Sequence, residues 1–163
     1  MPCARVDGLK VHYEVTGDGP PLVLHPGMFC VGEDWARRGY TPVLRAEHTV
    51  IAIDPLGLGA SDGPHDPAAY ALPRRVAHVT AVLDDLKIEA AACWGYSLGA
   101  LTVLGMAVHA PERCTRVVAG RGTRSTGSGR GWSTRCAGTA CLPTPTRSRC
   151  CGTARARTPT RRR

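Results

Sequence analysis

The 163-residue sequence predicts an α/β fold with a doubly wound, mostly parallel sheet. Short uninterrupted apolar runs, typical of strands buried on both faces, alternate with longer segments of helical periodicity. One strand segment near the start instead alternates polar and apolar residues with a period of two, as an antiparallel strand does. Right-handed crossovers then place the carboxyl ends of the parallel strands along one edge of the sheet, where ligands bind.

The predicted elements follow one another in chain order. Strands are predicted at residues 10–15, 22–24, 49–53, 90–94 and 116–119. Helices are predicted at residues 35–46, 69–86 and 98–109. In the first helix Asp34 is a candidate N-cap and Pro42 a candidate break, whereas Pro73 fits the first turn of the second helix. Loops at three of these strand ends hold the candidate functional residues.

The most specific loop is Gly95-Tyr96-Ser97-Leu98-Gly99, followed by a small alanine. Here a predicted strand turns directly into a predicted helix, and such a tight turn pushes the hydroxyl of Ser97 outward and requires glycine on either side. The helix N-terminus favours negative charge that develops beside Ser97. The alternative interpretation is a glycine-rich helix cap that happens to contain a serine.

A second loop, His25-Pro26-Gly27-Met28, follows the first predicted parallel strand. Acyl transfer needs two backbone N–H donors directed at the oxyanion. The N–H of Leu98 would be one, and the N–H of Met28, freed by the turn at Gly27, would be the other. We expect His25 to make a structural hydrogen bond to its own loop and not to act as a base.

The third loop covers residues 54–61 and begins with Asp54. Gly57 and Gly59 resemble the start of a dinucleotide-binding fingerprint, but Asp62 replaces its third glycine and the prolines that follow prevent an immediate helix. We therefore expect no nucleotide cofactor. The sequence predicts no other cofactor and no metal site.

Together, the three motifs in this order resemble the α/β-hydrolase superfamily, and specifically its single-domain serine hydrolases, over roughly residues 6–120. In that family an HG or HxG oxyanion loop, a D-x-x-G-x-G-x-S loop and a G-x-S-x-G elbow follow the third, fourth and fifth strands. The resemblance implies that Ser97 is the nucleophile and that Met28 and Leu98 supply the oxyanion donors. It also implies a small-molecule acyl substrate with an ester, thioester or lactone bond. The serine argues against the haloalkane dehalogenase and epoxide hydrolase branches, which have an aspartate there.

The sequence departs from this family after the elbow. The family's triad acid and histidine follow the serine in that order. Downstream of Ser97 the sequence has one histidine, His109, and one acid, Glu112, both about 18 Å along the predicted helix from the serine. We therefore expect residues 1–120 to be a partial domain, truncated after about the sixth family strand, with impaired turnover.

Residues 121–163 differ sharply in composition from residues 1–120. Residues 1–120 carry ten basic and thirteen acidic side chains, whereas the last 43 residues carry eleven arginines and no acid, and so account for the net charge of +8. Only Trp132 and Leu142 are large and apolar there, which predicts disorder. A nucleic-acid-binding arm and a metal site at the segment's four cysteines are alternative interpretations. We favour translation of GC-rich DNA in a shifted frame.

The N-terminal residues lack the apolar stretch of a signal peptide, and four cysteines are widely spaced within residues 1–120. This predicts free thiols and a cytoplasmic location. Residues 90–108 are uncharged, but glycines interrupt them, so we expect a strand and a helix and no membrane span. The rival function is a non-catalytic hydrolase-like fragment that self-associates through an unpaired sheet edge. Nucleic-acid binding by the basic segment is the weaker rival.

Overall fold

A computed structural model describes residues 2–120, which form a single six-stranded sheet with helices on both faces. The strands are β1 (Cys3–Val6), β2 (Leu9–Thr16), β3 (Pro21–His25), β4 (Thr49–Ile53), β5 (Ala91–Tyr96) and β6 (Cys114–Gly120). The helices are α1 (Glu33–Arg37), α2 (Tyr40–Leu44), α3 (Leu72–Asp85) and α4 (Leu98–His109). Short 3₁₀ turns cover Pro67–Tyr70 and Pro111–Arg113. The segment predicted to be disordered, 121–163, lies outside the described residues.

The strand order across the sheet is β1-β2-β4-β3-β5-β6. β1 pairs antiparallel with β2, and β2 pairs antiparallel with β4. The other neighbours, from β4 to β6, all run parallel. This confirms the predicted α/β class with a mostly parallel sheet, whose uninterrupted apolar strands β3 and β4 are buried over four of five residues.

The sequence analysis missed β1. Its pairing with β2 depends on a two-residue turn in which Asp7 and Gly8 both adopt positive φ, 50° and 80°. An Asp-Gly pair in this conformation is a strong signal for a tight hairpin, so the dipeptide itself indicated the strand.

The two faces of the sheet have separate cores. The larger cluster lies between the sheet and helices α3 and α4, and it includes Ile51, Val79 and Met106. The smaller one lies under α1 and α2, where the rings of Trp35, Tyr40 and Trp94 meet with centroids 5.3–5.4 Å apart. Burial on both faces explains why the central strands contain almost no polar residue.

The helix predicted over residues 35–46 was wrong in two respects. It is divided into α1 and α2 because Gly39 adopts a left-handed φ of 82°. The break is therefore not at Pro42. That proline lies in the first turn of α2, where its missing N–H is not needed. Gly32, and not Asp34, occupies the N-cap position of α1. The Asp34 carboxylate instead accepts a hydrogen bond of 2.9 Å from the N–H of Val31.

The predicted second helix is shorter than expected but keeps its apolar spacing. A 3₁₀ turn capped by the carboxylate of Asp66 precedes it, and α3 then begins at Leu72 with Pro73 in its first turn, as predicted. No helix within residues 2–120 has the length and apolar composition needed to cross a bilayer.

Candidate active site

Ser97 lies at the junction of β5 and α4, at the carboxyl edge of the sheet. Its backbone has φ 53° and ψ −111°, a region that L-residues other than glycine rarely occupy. Its N–H donates to the carbonyl oxygen of Gly120 at 2.8 Å, and its side chain is exposed. The hydroxyl makes no hydrogen bond to any other group of residues 2–120. The turn therefore presents an oxygen atom without a partner at the N-terminus of a helix.

The glycines that flank Ser97 are required by backbone contacts. A Cβ atom on Gly95 would overlap the carbonyl group of Gly99. A Cβ atom on Gly99 would overlap the carbonyl groups of His25 and Pro26. The first contact closes the turn, and the second packs the start of α4 directly against the end of β3.

The loop over residues 25–32 lies beside this turn. A Cβ atom on Gly27 would be 3.0 Å from the ring of Tyr96 and 3.4 Å from Cβ of Ser97. Met28 and Phe29 follow with 56% and 85% of their surface exposed, and Phe29 has a strained φ of 60°. The apolar side chains that follow Gly27 thus stand in solvent beside the exposed serine.

Two backbone donors are available at this edge. The N–H of Leu98 belongs to the first residue of α4, where no intrahelical acceptor exists. The N–H of Met28 makes no hydrogen bond to another group within residues 2–120. Both amide hydrogens are therefore unengaged within the described residues.

Asp54 connects three segments beneath the site and is only 7% exposed. Its Oδ1 accepts a hydrogen bond of 2.7 Å from the N–H of Gly32, and its Oδ2 accepts one of 3.0 Å from the N–H of Ala60. The same Oδ2 lies 2.9 Å from Nδ1 of His12 on β2. A Cβ atom on Gly59 would overlap this carboxylate, so the absence of a side chain there makes the arrangement possible. Asp54 therefore supports the loop that carries Met28.

Sequence reasoning missed His12, which is buried. Its N–H donates to Oγ of Ser61 at 2.8 Å, and that hydroxyl donates to the carbonyl oxygen of Asp54 at 2.7 Å. The sequence alternates polar and apolar residues here, so His12 falls at a polar position and its burial could not be expected from the pattern. Gly57 has a left-handed φ of 80°, and a Cβ atom there would be 3.2 Å from the hydroxyl of Tyr70.

His25 is buried at the end of β3. Its Nδ1 lies 3.2 Å from the carbonyl oxygen of Pro26, the hydrogen bond to its own loop that the sequence analysis expects. Burial lowers the pKa of His25 to about 4, with a smaller contribution from the positive charge of Arg75. His25, Arg75 and His78 line one small cavity. Burial also lowers the pKa of His78 to about 4. His25 is therefore neutral at pH 7 and faces the core.

Neither downstream candidate for the triad lies near the turn. His109 ends α4 and Glu112 follows in the 3₁₀ turn. Eleven helical residues separate His109 from the start of α4, which is about 17 Å along the axis. Within residues 2–120 no group of three or more potential ligands could hold a metal ion.

Comparison with known proteins decides the family. A sequence model of the α/β hydrolase fold matches residues 20–124, well over half of the chain. The chain belongs to the α/β-hydrolase family. The recognised resemblance and the fold class are both confirmed by this match.

Relatives in the α/β-hydrolase family differ in their reactions. The chain is 38% identical over 112 residues to a 2-hydroxymuconate semialdehyde hydrolase from Pseudomonas sp. strain CF600, covering 68% of this chain and 39% of that protein. The enol-lactonase from Burkholderia xenovorans has a TM-score of 0.67 and 30% identity, over 72% of this chain and 45% of that one. Epoxide hydrolase A from Mycobacterium thermoresistibile has a TM-score of 0.65 and 30% identity, over 71% of this chain and 37% of that one. The chain thus spans about two fifths of the length of these relatives.

Proposed function

We propose that this α/β-hydrolase is built for serine hydrolysis, with Ser97 as nucleophile toward an ester, thioester or lactone. The observation that carries the proposal is the exposed, strained serine between two glycines at the junction of β5 and α4. Strain of this kind persists only where the surrounding structure imposes it, and it is concentrated at functional sites. The Ser97 turn meets that description, because its N–H is bonded to the carbonyl of Gly120 and Gly99 packs against the backbone of His25 and Pro26.

The proposed reaction begins with attack of Oγ of Ser97 on the substrate carbonyl carbon. The carbonyl oxygen then carries a negative charge, which the N–H groups of Met28 and Leu98 stabilise. Collapse of this intermediate breaks the bond to the leaving group and leaves an acyl group on Ser97. Water releases the acid in the second half of the reaction. A base must accept the proton of Ser97 in the first step.

We infer that this polypeptide turns over slowly, because Ser97 has no histidine or carboxylate partner within residues 2–120. His25, His12 and His78 are buried and engaged in or beside the core. Without a base, an oxyanion hole and substrate binding still accelerate acyl transfer by about 10³-fold over water. Acylation of Ser97 therefore proceeds slowly, and deacylation, which also needs a base, is slower still.

The exposed side chains of Met28 and Phe29 suggest the substrate class. They lie on the loop that carries one oxyanion donor, so they would contact groups attached to the reacting carbonyl. We propose a small acyl substrate with an apolar substituent.

Free thiols at four cysteines of the described chain support a cytoplasmic location as part of the same proposal.

Acetylation by p-nitrophenyl acetate tests both parts of the proposal. We expect slow, stoichiometric acetylation within the tryptic peptide over residues 88–113, which contains Ser97 as its only serine. Ser97→Ala is expected to abolish that modification, whereas Thr115→Ala, which removes an exposed hydroxyl on β6, is the control and keeps it. Acetylation that persists in Ser97→Ala would refute the nucleophile. Many turnovers per molecule that disappear in Ser97→Ala would instead refute the slow turnover.

A non-catalytic role through self-association is favoured by one observation. Within residues 2–120, β6 has a strand on only one side, and α4 beside it exposes Leu101, Leu104 and Val108. An open edge next to an apolar helix face is a surface that pairs with other chains. Light scattering over a concentration series tests this: an increase in mass supports the role, and a constant monomer contradicts it.

Nucleic-acid binding depends on residues 121–163, which lie outside the described residues, so it stays a prediction. Retention on heparin that falls steeply with salt would support it. Weak retention that salt does not change would remove it.

A further inference from the structure

A small cavity lies between the sheet and α3, close to the ends of β3 and β4. Apolar side chains form much of its wall, and three basic ones share it: His25 from β3, and Arg75 and His78 from α3. Among residues 2–120, no aspartate or glutamate lines it. About 10 Å³ is open to the centre of a water-sized group, which is room for one small ion or molecule. The cavity therefore places nitrogen atoms around space for a single ligand.

Arg75 supplies a permanent positive charge to this cavity. Its guanidinium stays protonated at every pH at which proteins fold, and the residue is half-buried. Nε donates a hydrogen bond of 2.6 Å to the carbonyl oxygen of Tyr70, and the Nη atoms make none within the described residues. Arg74 and Arg113 pair with carboxylates, whereas Arg75 pairs with none between residues 2 and 120. A half-buried cation without a counter-charge favours the binding of an anion.

The two imidazole rings add nitrogen atoms that a ligand can contact. His25 is 4% exposed and His78 is 8% exposed. Nδ1 of His25 lies 3.2 Å from the carbonyl oxygen of Pro26, and an N–H at this position donates to that oxygen. Nε2 of His25 then becomes a donor only when the ring takes up a second proton. His78 makes no hydrogen bond to any group of residues 2–120. Both rings therefore gain a partner when an anion and a proton enter together.

The charges around these rings keep them neutral at pH 7. Burial, and to a smaller extent the positive charge of Arg75, lowers the pKa of each ring to about 4. His78 also lowers the pKa of His25. At the surface, Asp7 raises the pKa of His78, and Arg74, which is paired with Asp7, lowers it. An anion in the cavity would offset the charge of Arg75 and so raise the pKa of both rings.

We propose that this cavity binds one small monovalent anion, of the size of chloride, between the guanidinium of Arg75 and the rings of His25 and His78. Water fits the same space, but it does not neutralise the charge of Arg75. Larger anions such as gluconate exceed the volume of the cavity. The ligand is therefore selected by both charge and size.

The anion site is separate from the candidate active site. Neither Ser97 nor the two proposed oxyanion donors line the cavity, so the anion site does not depend on Ser97 being catalytic. His25 is the link between the two, because it ends β3 and its carbonyl group packs against Gly99 at the start of α4. An anion bound at the ring of His25 would stabilise the base of the loop over residues 25–32.

Thermal unfolding of the full chain in two salts tests the proposal. Sodium chloride is compared with sodium gluconate at equal ionic strength and neutral pH. An anion that binds only the folded chain raises the midpoint by mass action. We expect the midpoint in chloride to be higher by roughly 4 °C at a chloride concentration ten times the dissociation constant. Equal midpoints in the two salts over the whole concentration series would overturn the proposal.

Two neighbouring arginines give a matched pair of variants. Arg75→Met removes the charge but keeps the length of the side chain, so we expect it to abolish the difference between the salts. Arg74→Met removes an exposed arginine that does not line the cavity, and it should keep the difference. Both variants retain the eleven arginines of residues 121–163, so chloride bound there cannot distinguish them. A difference that persists in Arg75→Met would overturn the proposal.

The pH dependence tests the part of the two histidines. Because the anion favours protonated rings, the difference between chloride and gluconate should be larger at about pH 5 than at about pH 8. His78→Gln, whose side chain does not titrate, should reduce the difference at the lower pH. This variant decides the question if Arg75→Met does not fold. A difference at the lower pH that His78→Gln leaves unchanged would remove the ring from the site and overturn the proposal.

Discussion

Asp54 follows β4 and Ser97 follows β5, two parallel strands with β3 between them, and the surroundings of these two side chains are opposite. The carboxylate of Asp54 is buried and accepts from two backbone N–H groups and a histidine ring. The hydroxyl of Ser97 is exposed, has no partner within residues 2–120 and sits on a strained backbone. The difference indicates that one strand end ties the edge of the sheet together, whereas the other leaves a hydroxyl unengaged on a strained backbone.

Removal of the Asp54 carboxylate has the largest expected effect on stability and tests whether this group stabilises the edge of the sheet. Asp54→Ala leaves the buried N–H of Gly32, the partly buried N–H of Ala60 and the ring of His12 without this acceptor, so we expect a loss of about 3–5 kcal/mol in the free energy of unfolding. Urea unfolding followed by tryptophan fluorescence, to which buried Trp35 contributes, measures it. Asp18→Ala, at an exposed carboxylate, is the control and should change stability by less than about 0.5 kcal/mol. Equal effects of the two substitutions would mean that Asp54 is not the connecting group.

Lowering the pH tests the stability of the loop over residues 25–32, which follows β3 and lies between the ends of β4 and β5. His25 has a pKa of about 4 in the folded chain against 6.5 when unfolded, so the unfolded state binds the proton first. The free energy of unfolding should therefore be unaffected above pH 6.5 and fall by roughly 3 kcal/mol as the pH drops to 4. His78 contributes with the same sign.

Urea unfolding at several pH values measures this slope. His25→Gln should make the slope between pH 6.5 and 4 shallower, whatever it does to stability at pH 7. A slope identical to that of the wild type would show that His25 titrates normally in the folded chain.

Relieving strain at Ser97 gives the smallest effect and the opposite sign. Ser97→Gly should raise the free energy of unfolding by about 1 kcal/mol, because glycine adopts φ 53° without a clash. Ser97→Ala, which keeps the strain, should leave stability nearly unchanged. Lys87→Gly is a useful comparison, since Lys87 has φ 57° and no proposed role. A gain at Lys87 that exceeds the gain at Ser97 would contradict unusual strain at the serine.

The sequence predicted correctly those elements of the fold that a few adjacent residues determine. Residues 22–24 and 49–53 were identified as strands because burial on both faces leaves an unbroken apolar run. The turn at Ser97 followed from its glycines, since two close backbone approaches exclude any side chain there. These features depend on a few adjacent residues, so sequence alone was sufficient.

Contacts between distant residues set the rest. His12 and Asp54 are 42 residues apart, and nothing in either segment indicates that β2 lies beside β4. The break at Gly39 requires a left-handed φ of 82°, which the apolar spacing of residues 35–46 does not reveal. Periodicity therefore joined two short helices into one, and the histidine beneath the site was missed.

The contact of Gly99 with the carbonyls of His25 and Pro26 has a mechanical consequence. Because Gly99 has no side chain, the backbone of the first turn of α4 packs directly against the backbone of the loop that carries Met28. A displacement of α4, for example by another chain that docks on Leu101 or Val108, cannot be absorbed by a side-chain rotation there. It would move the N–H groups of Leu98 and Met28, the proposed oxyanion donors, together, so binding at the outer face of this helix would also change the candidate active site.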